Sequence, residues 1–192
     1  NKREAVTLIC SFVVMLCVVL LYKAFTSVGQ NEAAIAVQWL SLLPGLELKF
    51  VLEPLGLIFA MVAGILWLVT SIYAIGYMRG NNEKHQTRFF MLFPLAISAA
   101  MGIAFAGNLL TLFVFYEVLT LSTYPLVTHK GNDDAIRSGR IYLGVLISTS
   151  IGLLLPAILW TWHVAGTTDF VAGGVLVGKL DGGLLTLLAA MF

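Results

Sequence analysis

The chain has 192 residues, of which 59% are hydrophobic and only 11% charged, whereas roughly a quarter of the residues in a soluble domain are charged. At a mean hydropathy of +0.95 there are too few polar side chains to cover a water-facing surface, which excludes a soluble enzyme, a nucleic-acid binder and a disordered tail. The net charge of +1 says little about partners, because in a membrane protein the placement of charge matters more than its sum.

A helix needs about 20 apolar residues to cross some 30 Å of hydrocarbon, and uncharged runs predict where such spans lie. The first runs from Ala5 to Tyr22, between Lys2-Arg3 and Lys23. A second runs from about Phe50 to Met78, with Glu53 and Pro54 in its first turn, where a proline is tolerated and a carboxylate suits the helix dipole. Between Phe89 and Thr128 a single charge interrupts a stretch twice too long for one crossing, so it divides at the Gly107-Asn108 turn into spans 89–106 and 109–128. Ile141 to Trp162 is a fifth span, and Leu184 to Phe192 reads as a truncated sixth. Both chain ends read as cut. The expectation is one all-α integral membrane domain over residues 1–192, a polytopic bundle of five transmembrane helices plus the start of another.

Alternation across these spans sorts the basic residues. Lys2, Arg3, Arg79, Lys84, Arg88, Lys130, Arg137 and Arg140 fall on the amino-terminal side, and only Lys23, Lys49 and Lys179 on the other. By the positive-inside rule the amino terminus of this piece is expected in the cytoplasm. Tyr73 and Tyr77 then mark the inner interface, and Trp160 and Trp162 the outer one. Of the two outer segments, 26–49 can form a hairpin from Ile35–Trp39, the turn Pro44-Gly45 and Leu46–Phe50. Gly173 to Gly178 suits a short strand or an interfacial loop, and lacks the Lys-Ser/Thr of a phosphate loop.

Small residues at helical spacing, Gly144, Ser148 and Gly152 in the fifth span and Ala96, Ala100 and Ala104 beside Ser98, Gly102 and Ala106 in the third, predict close helix packing. Pro94, Pro125 and Pro156 predict bends. Cys10 and Cys17 lie about 10 Å apart along one helix, too far for a disulfide, and read as small hydrophobes. No spacing suggests a metal site or a cofactor, and neither a Ser-His-Asp set nor HExxH is present.

Glu117 stands apart, an ionisable group in mid-span with Phe, Val, Leu and Tyr on either side. Such placement costs about 2.5–3.5 kcal/mol on insertion scales, and intramembrane acids are functional by default. Thr120, Tyr124 and Thr128 follow within roughly 60° of its direction on the helix, a polar stripe shaped like the lining of a half-channel. A buried carboxylate can load and release a proton as a neighbouring charge moves. The bland alternative is a structural carboxyl bonded to a neighbouring helix. Ser148-Thr149-Ser150 place further hydroxyls near mid-membrane, with Ser148 and Thr149 as secondary candidates beside Glu53, whose position is explained equally by helix capping. His85, His129 and His163 sit in a loop or at span ends and read as interfacial. The span cores contain no Lys, Arg or His to pair with Glu117, so its counter-ion is expected elsewhere.

The run Leu112 to Val127, with Tyr116-Glu117-Val118-Leu119-Thr120-Leu121-Ser122-Thr123-Tyr124-Pro125 at its centre, resembles the fifth-helix signature of the antiporter-like, proton-translocating membrane subunits shared by respiratory complex I and Mrp-type sodium/proton antiporters. Its wording is nearest to the D-type branch of the Mrp group. Glu53-Pro54-Leu55-Gly56-Leu57 with Tyr73 to Met78 resembles the same family's third helix, with Glu where Asp is common. The resemblance implies a protein of about fourteen helices, of which this chain would supply the second to sixth and the start of the seventh. It also implies that Glu117 pairs with a seventh-helix lysine absent from this sequence. Some relatives carry an acid in the sixth helix, and its absence here fits the Mrp-like branch.

The expected function is ion translocation, exchanging Na+ or another monovalent cation for protons, by a multi-pass protein among other membrane subunits in a bacterial plasma membrane. The alternatives are a proton-pumping component of a redox complex, such as complex I or a membrane-bound hydrogenase, and a membrane scaffold that only packs against partners. No catalytic chemistry of its own is expected.

Overall fold

In the computed structural model, which describes residues 2–28, 35–129 and 131–192, five helical segments are long and apolar enough to cross a membrane. The protein is a mostly helical, multi-pass membrane protein. Lys130 of the charge count lies outside the described residues.

Helix α1 (Lys2–Val28) packs against α2 (Pro54–Gly80), which starts at Pro54 because the missing N–H of a proline costs nothing in a helix's first turn. This start corrects the expected one near Phe50: residues 46–51 are a strand. β1 (Ala36–Leu43) and β2 (Leu46–Val51) form the antiparallel hairpin around Pro44-Gly45. Gly45 adopts φ +75° and a Cβ there would strike the Gly166 carbonyl, so the turn requires glycine twice over. Leu46 and Leu48 of β2 are buried against Leu110, Val114 and Trp162, while β1 is exposed throughout. Trp162 donates from Nε1 to the Pro44 carbonyl at 3.1 Å, so it anchors the hairpin.

α3 (Gln86–Ala104) and α4 (Leu109–Val127) form a tight antiparallel pair joined at Gly107-Asn108. They meet where Gly102 lies under the Phe115 ring, closer than any side chain would allow. On its other side α3 packs against α2, through Phe90 on Ala74 and Met78. The buried face of α3 includes Ala96, Ala99 and Gly102. A Cβ at Gly144 or Gly152, by contrast, would meet no other part of the protein within 4 Å. That small-residue ridge, expected to bring helices together, makes no close approach among the described residues.

α5 (Asp133–Thr149) runs through a π-helical turn (Ser150–Leu154) into α6 (Leu155–Ala165). The turn ends two residues before Pro156. The N–H of Leu155 reaches the Ser150 carbonyl, five residues back, so the helix widens just before the residue that has no N–H to give. Residues 171–179 form turns, not a strand, and α7 (Gly182–Met191) follows.

The two ends of the bundle differ in chemistry. One carries Arg3, Arg79, Gln86, Arg88 and His129, tied together by an Arg79–Glu4 ion pair and by Arg3 donating to Gln86 and Thr87. The other carries the hairpin, the α3–α4 turn and residues 167–170.

Candidate functional site

At the hairpin end α4 begins under a closed polar knot. Asn108 is fully buried, and as N-cap its Oδ1 accepts from the N–H and the hydroxyl of Thr111, both at 2.8 Å. Its Nδ2 donates to the Glu47 carbonyl at 2.7 Å, while the N–H of Lys49 donates to the Thr111 hydroxyl at 2.8 Å. Leu109 donates to the Thr168 carbonyl at 2.9 Å, and Lys49 pairs with Asp169 at 2.6 Å. Both ends of the Asn108 amide are thus engaged, and hairpin, helix start and the 167–169 segment close over that end of α4.

Two turns further in, Glu117 projects from α4. Its Oε1 is buried and has no hydrogen-bond partner among the described residues, a state that a buried polar atom rarely keeps without water or an ion beside it. Of the stripe residues, Thr120 and Thr128 are buried and Tyr124 is half-buried. The Thr128 hydroxyl donates to the Tyr124 carbonyl at 3.0 Å, leaving its oxygen free to accept. Gly139 of α5 lies directly against Thr128 and Tyr124, so that part of the stripe is covered by a helix rather than exposed on the bundle surface.

From this contact the antiparallel helices run the same number of residues to Glu117 on α4 and to Ser150 on α5. Equal rise per residue places them at one depth. In agreement, Tyr116, Thr149 and Ser150 line one cavity of about 450 Å3, together with Leu112, Leu154 and Phe192. Ser150 is buried and opens the π-turn. Of the secondary candidates, Ser148 is exposed and Thr149 borders the cavity, its hydroxyl donating back to the Val145 and Leu146 carbonyls. Ser150 is the hydroxyl at Glu117's depth that sequence reasoning did not separate from its two neighbours; the choice depends on which side of α5 meets α4, set here by the contact at Gly139, about three helical turns earlier on Ser150's side. Glu53 is exposed at the N-cap position of α2, and its side chain makes no capping bond, so capping does not account for it.

His129, expected to be interfacial, has both ring nitrogens buried without a partner among the described residues, and its ring meets Phe89 edge-on at 6.0 Å. Arg88 donates to its carbonyl at 3.2 Å. Cys10 and Cys17 are free and exposed on α1.

Two family profiles match, "NADH:quinone oxidoreductase/Mrp antiporter, TM" over residues 106–192 and "NADH-Ubiquinone oxidoreductase (complex I), chain 5 N-terminus" over residues 39–90. Relatives include the N-type subunit of the NADH-quinone oxidoreductase of Desulforudis audaxviator, 27% identical over 149 residues, covering 78% of this chain and 29% of that protein. Another is the D-type subunit of the Na(+)/H(+) antiporter of Alkalihalophilus pseudofirmus, 28% identical over 133 residues, covering 69% of this chain and 26% of that protein. The chain therefore spans less than a third of the length of these relatives. In fold it is similar to a chain of the membrane-bound sulfane sulfur reductase, an archaeal respiratory membrane complex, with a TM-score of 0.78 at 18% identity over 98% of this chain and 37% of that one. It is similar also to a chain of the Mrp complex from Dietzia sp., with a TM-score of 0.66 at 20% identity over 99% of this chain and 37% of that one.

Proposed function

We propose, for a chain that belongs to the family of membrane subunits shared by NADH:quinone oxidoreductases and Mrp antiporters, that it carries protons between the basic face of the bundle and Glu117 as part of a monovalent cation/proton antiporter complex. The observation that carries this reading is the side chain of Glu117 itself, half-buried in a transmembrane helix with one buried oxygen that has no partner among the described residues. A carboxylate kept there only for packing would be selected against by its insertion cost. One that takes up and releases a proton has a use for the unfilled hydrogen-bonding capacity.

The surroundings supply a direction. Towards the hairpin end the Asn108 knot ties up the polar groups at the start of α4, whereas towards the basic end Thr120, Tyr124 and Thr128 continue along Glu117's side of the helix. Protons would enter and leave by that end, which is the cytoplasmic side if the excess of Lys and Arg obeys the positive-inside rule. Other membrane subunits are the partners, Na+ is the first cation to test, and a bacterial plasma membrane is the expected setting.

The full-length protein in its native complex, reconstituted into vesicles, tests this. Glu117→Gln keeps the shape of the side chain and removes its ability to change charge, so it abolishes proton-coupled flux in complexes that still assemble. Normal flux in assembled complexes overturns the role given to Glu117. The similarity to a quinone oxidoreductase component supports a second reading, a redox-driven pump. Vesicles that acidify under a Na+ gradient without a reductant favour the antiporter; acidification only during substrate oxidation favours the pump.

A further inference from the structure

A second set of unsatisfied polar atoms lies away from Glu117, where α1, α2 and α3 meet. Trp67 and Ser71 are one helical turn apart near the middle of α2, 3% and 1% exposed. Neither the Trp67 Nε1 nor the Ser71 Oγ has a hydrogen-bond partner among the described residues. The neighbouring α3 adds an acceptor. Pro94 has no N–H to return to the Phe90 carbonyl as a regular helix would, and the Phe90 side chain packs on Ala74 and Met78, in the turns of α2 just beyond Ser71. Because α3 runs antiparallel to α2 and helix carbonyls point towards the C-terminus, that carbonyl is directed along the axis to the end of the packet where Ser71 and Trp67 lie.

The third helix is polar on the same side. The buried positions of α1 nearest the basic face are Glu4, Thr7 and Ser11, which recur at helical spacing and form one stripe. The Thr7 and Ser11 hydroxyls donate to the Arg3 and Leu8 carbonyls at 3.1 and 3.0 Å, so only their acceptor lone pairs face outward. Met15 lies against Gly64 and Glu4 pairs with Arg79, and this antiparallel register sets Ser11 close to the depth of Trp67 and Ser71. Above the stripe, the Glu4–Arg79 pair and the bonds from Arg3 to Gln86 and Thr87 close the seam towards the basic face.

We infer that Trp67, Ser71 and the Phe90 carbonyl hold a buried water molecule inside the α1–α2–α3 packet. The chemistry selects water. An indole N–H only donates, a carbonyl only accepts, and a hydroxyl does either. One molecule that accepts from Trp67 while donating to the Phe90 carbonyl and exchanging a bond with Ser71 meets all three, with the three hydrogen bonds typical of internal water. An apolar occupant would leave every one of them orphaned, and a charged one would have no countercharge among them. The site stands across α3 from Glu117 and does not depend on the transport reading.

The test uses the intact complex at a resolution that shows ordered water. Density within hydrogen-bonding distance of both the Trp67 Nε1 and the Ser71 Oγ is the expected result; van der Waals contact around both atoms with no density overturns the site. Thermal unfolding of variants supplies a second readout. If the water is present, Ser71→Ala and Trp67→Phe each lower the melting temperature, and the double variant loses less than the sum, because either single change already weakens the shared water. If the packet is dry, Ser71→Ala only removes an unsatisfied hydroxyl and leaves the melting temperature unchanged or raised, which also overturns the proposal. Proton-coupled flux per assembled complex stays at the wild-type level in Ser71→Ala, whatever Glu117→Gln does.

Discussion

Gly139 of α5 lies so close to Thr128 of α4 that a Cβ at position 139 would come within 3.0 Å of Thr128 Cγ2. The threonine cannot swing aside freely, because its hydroxyl is bonded to the Tyr124 carbonyl and its side chain is β-branched. Gly139→Ala should therefore separate α4 and α5 locally at a cost of about 1–3 kcal/mol, the usual penalty of overpacking. The expected outcome is a lower melting temperature and a lower yield of assembled complex. The same change at Gly144, which has open space around it, should be neutral in this chain or expose a contact with a neighbouring subunit, and the comparison of the two variants separates these effects.

Asn108 holds the other end of α4. Replacement by alanine removes the helix cap and strands the Thr111 N–H and the Glu47 carbonyl in a buried place. A loss of about 2 kcal/mol is expected, at the upper end for a cap because the site is fully buried. Asn108→Asp keeps the cap but cannot donate to Glu47, so it should fall between alanine and wild type in a thermal melt. Equal stability of all three would mean that the knot is not what holds the hairpin to the helix.

If the stripe is a hydrated route, cysteines placed at Tyr124 or Thr128 will react with small thiol reagents added on the cytoplasmic side much faster than one at Leu126, in a background lacking Cys10 and Cys17. Leu126 is rotated well over 100° from Glu117's direction on the helix. Thr120→Val and Tyr124→Phe should slow proton-coupled transport less than loss of Glu117 does. Equal protection at all these positions, with a drop in complex yield in Thr120→Val, would leave the hydroxyls a stitching role and move the proton route to another helix.

The orientation is open to the same chemistry. Asn82 and Asn132 are exposed near the basic face and Thr167 lies at the opposite end. Cysteine at Asn82 or Asn132 should react with impermeant reagents only from the cytoplasm, and cysteine at Thr167 only from outside. Opposite labelling of Asn82 and Asn132 would break the division of residues 89–128 into two crossings. Gln30, a natural choice for a second outer probe, is outside the described residues.

Ser150 yields a finer expectation. It shares the depth of Glu117 and lines the same cavity as Tyr116. Ser150→Ala should reduce proton-coupled flux several-fold without loss of assembly, whereas Ser148→Ala, at an exposed position, should not. A Ser148 effect as large as that of Ser150 would mean that the hydroxyls act through the helix and not through the cavity.

Much of this was legible in the sequence, because the decisive physics is local. Lipid accepts only segments that satisfy their own backbone, so a scarcity of charge and long apolar runs are enough to identify a multi-pass helical protein, and a single acid in such a run, Glu117, is visible as an anomaly without a structure. Pro44-Gly45 and Gly107-Asn108 announce turns for equally local reasons. What the tertiary structure alone decided are matters of partnership. A small residue marks a helix face only if another helix comes to it: Gly102 and Gly139 are met by Phe115 and Thr128, while Gly144 and Gly152, as promising by spacing, are not. Pro156 announces a missing N–H but not that the helix answers with a π-turn. Ser150 and not Ser148 is the inward hydroxyl because α4 meets α5 at Gly139, on Ser150's side of the helix. Asn108 is an ordinary turn residue in the sequence and becomes a hub only because Glu47, Lys49 and Thr168 are brought to it from distant segments. Trp67 and Ser71 pass for ordinary span residues until the packing of α1 and α3 buries their polar atoms, since whether a hydrogen bond is made depends on neighbours that periodicity along one helix does not specify.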